Sequence, residues 1–166
     1  MSGILSKALF WFQAKNRHGV HSPFIYEFLD QAVYTRDVKK GPPRQRLLRA
    51  TRVHFSPERI WVSTDLPANS GILKEPNADP ALQRPSFDLF VFDMPSQEVT
   101  EVLNDTALWH NDSIVYLGNI RSSASACALW EQIRVHPSVR VSVEAYWEGL
   151  LFFRKEQAKQ HFKIRT

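Results

Sequence analysis

Two histidines stand three positions apart in the segment HGVHSPFIYEF, residues 18–28. His18 and His21 could bind a metal, act as an acid–base pair or contact a substrate, because imidazole serves all three purposes. The neighbouring residues favour a structural role: Gly19 permits a turn, and Ser22-Pro23 is typical of a helix start. No third metal ligand follows nearby. We therefore predict a hinge between two helices, with metal binding and substrate contact as the alternatives.

Asp93 is the second residue whose position suggests chemistry. It ends FDLFVFD (87–93), a run that is apolar on both faces and so typical of a strand inside a parallel sheet. Open α/β sheets bind ligands at the carboxyl ends of such strands, which makes Asp93 the candidate catalytic or ligand-binding acid. Arg121 follows the next apolar run and could either pair with Asp93 or bind an anionic ligand. No Ser-His-Asp or Cys-His arrangement is recognisable in the sequence.

The elements that would position these residues change from helical to extended along the chain. Apolar residues at spacings of three and four predict a helix over residues 3–15. A second helix begins at Ser22-Pro23, and Gly41-Pro42-Pro43 separates it from a short basic helix that runs to about Val53. The first helix is expected to turn one apolar face to the core, formed by Ile4, Leu5, Ala8, Leu9 and Phe12. Five strands are predicted at residues 59–64, 87–93, 113–118, 139–146 and 149–154, with helices at 97–109 and 124–136.

The last two predicted strands form a hairpin. Apolar and polar residues alternate over 139–146, which predicts a half-exposed strand with Ser142 and Glu144 on the exposed side. Glu148-Gly149 forms the turn, and LLFF (150–153) runs back as the buried partner. Helices, then alternating strands and helices, then a hairpin indicate an α/β fold.

Length and composition are those of a folded protein with a sizeable core, since 43% of the 166 residues are hydrophobic. The one cysteine, Cys127, cannot form an internal disulfide. No segment has the features of a secretory signal, and no apolar run approaches the ~18 residues of a membrane span. We expect a soluble cytoplasmic protein. Residues 1–54 would form a basic N-terminal helical arm and residues 55–166 the α/β domain.

The net charge of +4 is concentrated in the arm. Such a basic cluster can bind nucleic acid or acidic lipid. No aromatic residues alternate with these charges as they do on surfaces that bind single strands, so a solvated helix face is the favoured interpretation. The cluster comprises Arg36, Lys39, Lys40, Arg44, Arg46, Arg49 and Arg52.

Two long segments carry a resemblance to a known family. The start KNRHGVHSPFIYEFL (15–29) and the end WEQIRVHPSVRVSVEAYWEGLLFFRKEQAKQHFKIR (130–165) resemble class I S-adenosylmethionine-dependent methyltransferases of the Bacteroidetes type. Within that family, FDLFVFD is similar to the fourth strand, and NDSIVYLGNIRSS (111–123) to the fifth strand and its following loop. The resemblance implies a reduced Rossmann-like sheet of about five strands behind an N-terminal helical arm. It also implies the spatial order first, second, third, fifth and fourth predicted strand, with residues 149–154 antiparallel.

The chain departs from this family where the cofactor would bind. Ser63, Thr64, Asp65 and Leu66 stand where the family has a glycine-rich turn after its first strand. Residues 65–86 alone separate that strand from the next, whereas the two βα units of the family need roughly sixty residues. The strand whose acid holds the ribose is therefore absent. The vestigial cofactor-binding positions are Ser63, Thr64, Asp65, Asp93, Gly118 and Asn119.

The family's metal-dependent O-methyltransferases also inform the metal prediction. They use an Asp-Asn pair after the fifth strand, where this chain has Gly118-Asn119. Asp93 and Asn119 alone would hold Mg²⁺ poorly, because Mg²⁺ prefers six oxygen ligands, so no metal site is expected.

Three functions follow as hypotheses. The first is a degenerate methyltransferase-like protein that lacks useful affinity for S-adenosylmethionine and acts through binding or assembly. The second is an active small-molecule O-methyltransferase with an atypical site. The third is a protein that binds nucleic acid or anionic surfaces through the basic arm, although nucleic acid is not expected as a partner. The substrate of the second remains open. The shortened sheet would leave residues 59–64 as an edge strand. Either a second subunit, in a homodimer, or the loop 66–86 with the N-terminal helices is expected to cover it.

Overall fold

The computed structural model describes residues 3–15, 20–63 and 86–166. The helices in these ranges are α1 (Gly3–Gln13), α2 (Pro23–Phe28), α3 (Arg36–Lys39), α4 (Arg46–Phe55), α5 (Gln97–Asn104) and α6 (Ala124–Ile133). A π-helical turn, Leu29–Val33, continues α2, and a 3₁₀ turn, Pro43–Gln45, precedes α4. The strands are β1 (Ile60–Val62), β2 (Phe87–Phe92), β3 (Trp109–Leu117), β4 (Val141–Ala145), β5 (Glu148–Phe152) and β6 (Gln160–Lys163).

The strands form one mixed sheet in the order β1-β2-β3-β5-β4-β6. Strands β1, β2 and β3 are parallel, and β5 is antiparallel to both β3 and β4. The α/β class is therefore confirmed, as is the pairing of Ile60–Val62 with β2. The expected count of five strands is wrong, because β6 pairs parallel to β4 and extends the sheet by a sixth strand beyond the five predicted ones. Its sequence, QHFK, is too short and too polar to show a strand period.

Helices cover both faces of the sheet. On one face, α2, the π-helical turn and α4 contribute Phe28, Leu29 and Leu47, all fully buried, to a core shared with β2 and β5. The arm thus packs into the same core as the sheet. On the other face, α5 and α6 pack with Leu103 and Trp130 against a second core cluster. Ser22 caps α2 through a bond from the Ile25 N–H, and Pro23 opens that helix, as the sequence predicts.

The apolar face of α1 is not the face that packs. Leu9 and Phe12 are 56% and 87% exposed, whereas Phe10 and Ala14 are buried. Ala8 is also exposed, and the side chains of Ile4 and Leu5 lie outside the description. The prediction is wrong because contacts near the end of α1 decide which of its faces turns inward. Lys15 bridges to Ile164, directly after β6, and Phe10 packs edge-on against Tyr146 at 5.4 Å.

Strand β4 is buried along its whole length, so the expectation of a half-exposed strand is also wrong. Ser142 and Glu144 are 1% and 0% exposed. The alternation of residue types is real, but α6 covers the polar side of the strand and β6 covers its edge. Buried polar side chains must then find partners inside the protein.

Trp130 of α6 lies directly over Gly149 of β5. A Cβ atom on Gly149 would stand 2.5 Å from the indole ring, closer than packed side chains allow. The absence of a side chain at this position lets the large, buried indole sit flat on the strand. The same placement brings the indole N–H to Glu144, its acceptor at 3.2 Å.

Gly149→Ala should destabilise the protein by about 1–3 kcal/mol, because the new methyl group must displace a packed ring. Urea unfolding followed by circular dichroism measures this loss. Trp130→Phe is the matched background: the smaller ring leaves room for the methyl group, so Gly149→Ala should cost clearly less there. Equal costs in both backgrounds would contradict the role assigned to Gly149.

Candidate functional site

The carboxyl ends of β1, β2 and β3 meet at one edge of the sheet. Ser63, Asp93 and Gly118 follow these strands directly. The Gly118 N–H donates to the Phe92 carbonyl at 2.9 Å, and a Cβ atom on Gly118 would lie 2.7 Å from the Asp93 carbonyl oxygen. The glycine at position 118 thus serves the close approach of two chain segments of this protein.

Asp93 and Asn119 are brought together at this edge. The Asn119 side-chain amide donates to Asp93 Oδ1 at 3.0 Å. Asn119 has φ 42°, a left-handed conformation that asparagine tolerates better than most residues, and it turns the chain out of β3. Ser63 is buried, and its hydroxyl donates to Glu98 Oε2 at 2.9 Å. Three of the predicted site residues therefore form contacts within the protein.

Arg121 pairs with Glu144, and its predicted pairing with Asp93 is wrong. Its Nε donates to Glu144 Oε1 at 3.1 Å, and its Nη2 contacts the same oxygen. The fully buried carboxylate requires a cation more than half-exposed Asp93 does, because an unpaired buried charge is very costly. The guanidinium also lies 5.4 Å from the ring centres of both Phe10 and Tyr146, which ties it to α1 and to the β4–β5 turn.

Glu144 is the centre of a buried polar cluster that the sequence did not reveal. Besides Arg121, it accepts from Trp130 and lies 3.3 Å from His161 Nε2. Burial alone would raise the pKa of Glu144, but the adjoining His161, Arg121 and Trp130 lower it to about 2. Glu144 is therefore ionised over the whole range in which proteins normally work.

Ser142 and His161 also belong to this cluster. With Glu144 they form a serine–histidine–carboxylate arrangement, which hydrolases use as well. Ser142 Oγ lies 2.8 Å from His161 Nδ1, and the other ring nitrogen faces Glu144. A serine nucleophile has to be reached by its substrate. Ser142 is 1% exposed, so its hydroxyl is shielded from a substrate, and the contact with His161 fastens β6 to β4. Only the unpredicted pairing of β4 with β6 brings His161 to Ser142.

A second buried carboxylate, Glu148, holds the N-terminus of α4. It accepts the backbone N–H groups of Arg46 at 3.1 Å and Leu47 at 3.0 Å. Gln45, the residue before α4, makes no capping bond with its side chain, so a strand supplies the cap that the helix lacks. Burial raises the pKa of Glu148 to about 7, and the backbone hydrogen bonds oppose this rise.

The remaining predicted site residues are His18, His21, Thr64 and Asp65. His21 is exposed, and His18, Thr64 and Asp65 lie outside the described residues, as does the loop expected to cover β1. Within the described ranges, no group of three or more His, Cys, Asp or Glu side chains could hold a metal ion. In the same ranges, no helix is long and apolar enough to cross a bilayer.

The basic cluster of the arm is used in part inside the protein. Arg49 is half-buried and donates to the carbonyl groups of Val38 and Pro42. Arg44 lies with its guanidinium 4.2 Å from the Trp147 ring centre. These contacts join the arm's turns to each other and to the hairpin. Arg36, Lys39, Lys40 and Arg52 are exposed.

Comparisons with protein-family models, with curated proteins and with solved structures gave no match to this chain. The methyltransferase resemblance therefore depends on the quoted segments alone.

The pKa values of the two buried glutamates shift in opposite directions. The unfolding free energy should therefore depend on pH in opposite ways through Glu148 and through Glu144. The pKa of Glu148 is raised from 4.5 to about 7, so its contribution is complete below pH 4.5 and is lost as pH rises through 7. The pKa of Glu144 is lowered from 4.5 to about 2, so its contribution is complete above pH 4.5 and is lost as pH falls towards 2. Each change is on the order of 3 kcal/mol.

Urea unfolding at several pH values tests this pair. Glu148→Gln should remove the decline in stability between pH 4.5 and 7 and keep the loss of stability below pH 4.5. Glu144→Gln should remove much of the loss below pH 4.5, and the protein should be less stable overall. A Glu148→Gln protein whose stability declines over pH 4.5–7 as steeply as that of the wild type would refute the assignment.

Proposed function

We propose that this chain is a methyltransferase-like protein that lacks useful affinity for S-adenosylmethionine and acts through binding or assembly. The segments around HGVHSPF and EGLLFFRKEQA supply the family resemblance. The observation that carries the proposal is the occupancy of the carboxyl edge, where an open α/β sheet would take its ligand. The protein's own side chains use the polar groups of that edge.

Contacts on the β1–β3 side of the edge leave little for a cofactor to bind. Asn119 occupies one carboxylate oxygen of Asp93, and Glu98 occupies the hydroxyl of Ser63. A cofactor's hydroxyl or amino group would have to displace these bonds or use the remaining oxygen of Asp93. The sequence after Val62 also lacks the glycines that allow a ligand to approach the backbone.

The β4–β5 side of the edge is closed to anionic ligands in the same way. Arg121 is the cation nearest to Asn119 in sequence, and it is committed to Glu144. An anion that recruited Arg121 would leave a buried carboxylate without its main partner, at a cost of several kcal/mol. Phe10 and Tyr146, which pack on the same guanidinium, further fill this side.

The first experiment is a calorimetric titration with S-adenosylmethionine and S-adenosylhomocysteine. We expect dissociation constants of about 1 mM or weaker, because two or three missing contacts to the ribose and amino-acid groups cost ~3–9 kcal/mol relative to a micromolar site. Asp93→Ala should change this result little.

Asp112→Ala is the matched control for that substitution, since Asp112 is an exposed carboxylate near the opposite end of β3. Micromolar binding that is lost in Asp93→Ala and kept in Asp112→Ala would overturn the proposal. The active O-methyltransferase with an atypical site would then take its place.

The proposed assembly uses the edge of β1 that lies away from β2. Strand β1 pairs only with β2 within the described residues, and all three of its side chains are half-buried. The Ser63 N–H donates to Val91 of β2 at 3.0 Å. Since successive backbone groups of a strand point to opposite sides, the Val62 N–H points away from β2. An edge of this kind pairs readily with another chain.

Light scattering after size exclusion should give twice the mass of one chain at micromolar concentrations. Val62→Pro removes the outward N–H without touching the β1–β2 bonds, so it should yield a monomer. Val62→Ala keeps the N–H and should remain dimeric. A wild-type monomer, or a Val62→Pro dimer, would contradict assembly through this edge.

A further inference from the structure

A pocket of about 320 Å³ opens between α5 and the outer strands of the sheet. Its floor is aromatic and is formed by Trp61, Phe87 and Phe90. The volume is at the lower end of those found for small-molecule sites, which suits one small body rather than an extended chain. The pocket lies on the face of the sheet that α5 and α6 cover. Of its lining residues, Glu98 also makes a contact at the carboxyl edge, through the Ser63 hydroxyl.

One wall of the pocket carries only negative charge. Glu98, Glu101 and Asp105 lie three and four positions apart, so α5 and the turn after it present them on one side. Among the described residues that line the pocket none is basic, although the chain as a whole has a net charge of +4. The described lining is thus acidic in a basic protein, which favours a cation as the ligand.

The aromatic floor favours the same ligands. The Trp61 and Phe90 ring centres are 6.0 Å apart, and those of Phe87 and Phe90 are 5.6 Å apart. Aromatic faces attract cations, and tryptophan does so most strongly. Phe87 already shows this preference within the protein, since the Arg59 guanidinium lies 5.8 Å from its ring centre. Trp61 and Phe90 have no such cation assigned to them among the described contacts.

We propose that this pocket binds a small organic cation, an ammonium compound with an apolar body. The apolar part lies on Trp61 beside Phe87, above the buried Phe90, and the charged group faces Glu98 and Glu101. Glu98 retains an oxygen for the ligand, because the Ser63 hydroxyl uses only Oε2. This inference goes beyond the proposed function and concerns a different face of the sheet.

Benzyltrimethylammonium is the probe, and a two-dimensional NMR titration is the measurement. We expect saturable shifts of the α5 amides and of the Trp61 indole N–H. Benzyl alcohol, which keeps the ring and lacks the charge, should bind about tenfold more weakly, as should benzoate. Glu101→Gln should weaken the probe about two- to fivefold, and Trp61→Leu about threefold to tenfold.

Glu131→Gln is the matched control, because Glu131 is an exposed acid on α6 away from the pocket. It should leave the affinity unchanged. Glu101 is exposed on a helix surface, so its substitution tests the site even if Trp61→Leu fails to fold. The inference is wrong if benzyl alcohol binds as tightly as the cation, or if Glu101→Gln and Glu131→Gln have the same effect.

S-adenosylmethionine is itself a cation, so the two proposals need separate signatures. Binding that depends on Asp93 and not on Glu101 belongs to the carboxyl edge and counts against the proposed function. Binding that depends on Glu101 and not on Asp93 belongs to this pocket and supports the inference drawn here.

Discussion

The burial of Glu144 is the constraint on which the second half of the structure depends. Its carboxylate is fully shielded from water, and a lone charge in that position would cost several kcal/mol. Arg121, Trp130 and His161 compensate it, and they come from the loop after β3, from α6 and from β6. Four separate elements of the chain between Arg121 and His161 are therefore fixed relative to one another by one side chain. Such a cluster is stable only when complete, because each member removed leaves the others buried without partners.

The same cluster determines what the carboxyl edge can do. Arg121 follows Asn119 by two residues and would otherwise be free to meet a ligand beside Asp93. Its commitment to Glu144 turns it towards Phe10 and Tyr146, and α1 then packs over that end of the sheet. The side chains of Asp93, Asn119 and Arg121 thus contact one another or Glu144 at this edge. The ligand site that we propose lies elsewhere, on the aromatic and acidic surface beside α5.

The parts of the fold that could be predicted from the sequence are those that depend on local patterns. FDLFVFD and SIVYL are apolar on both faces and so indicate buried parallel strands, and Ser22-Pro23 marks a helix start. The position of Asp93 beside Asn119 follows from the strands that precede them. Strand β6 could not be predicted in this way, because QHFK becomes a strand only by pairing with β4.

The errors have a common physical cause. The alternation in β4 predicts that Ser142 and Glu144 are exposed, since polar residues at every second position usually face water. Whether they do depends on what covers the strand, and α6 is placed there by Trp130 lying on Gly149. The prediction that Leu9 and Phe12 face the core is wrong for the converse reason. These side chains are 56% and 87% exposed, so nothing in the described structure covers them. Burial is a property of tertiary neighbours, which a local pattern does not specify.

Glu144 and Glu148 together explain why the β4–β5 hairpin has one register. Glu144 lies opposite Gly149 and faces α6, whereas Glu148 lies opposite Ala145 and faces α4. One carboxylate is held by a guanidinium on its face of the sheet, and the other by helix N–H groups on the opposite face. A slip of either strand by one residue would reverse its faces and bring its glutamate into the wrong apolar layer. The two buried charges, costly in themselves, thus exclude the alternative pairings that the apolar residues of this hairpin would otherwise tolerate.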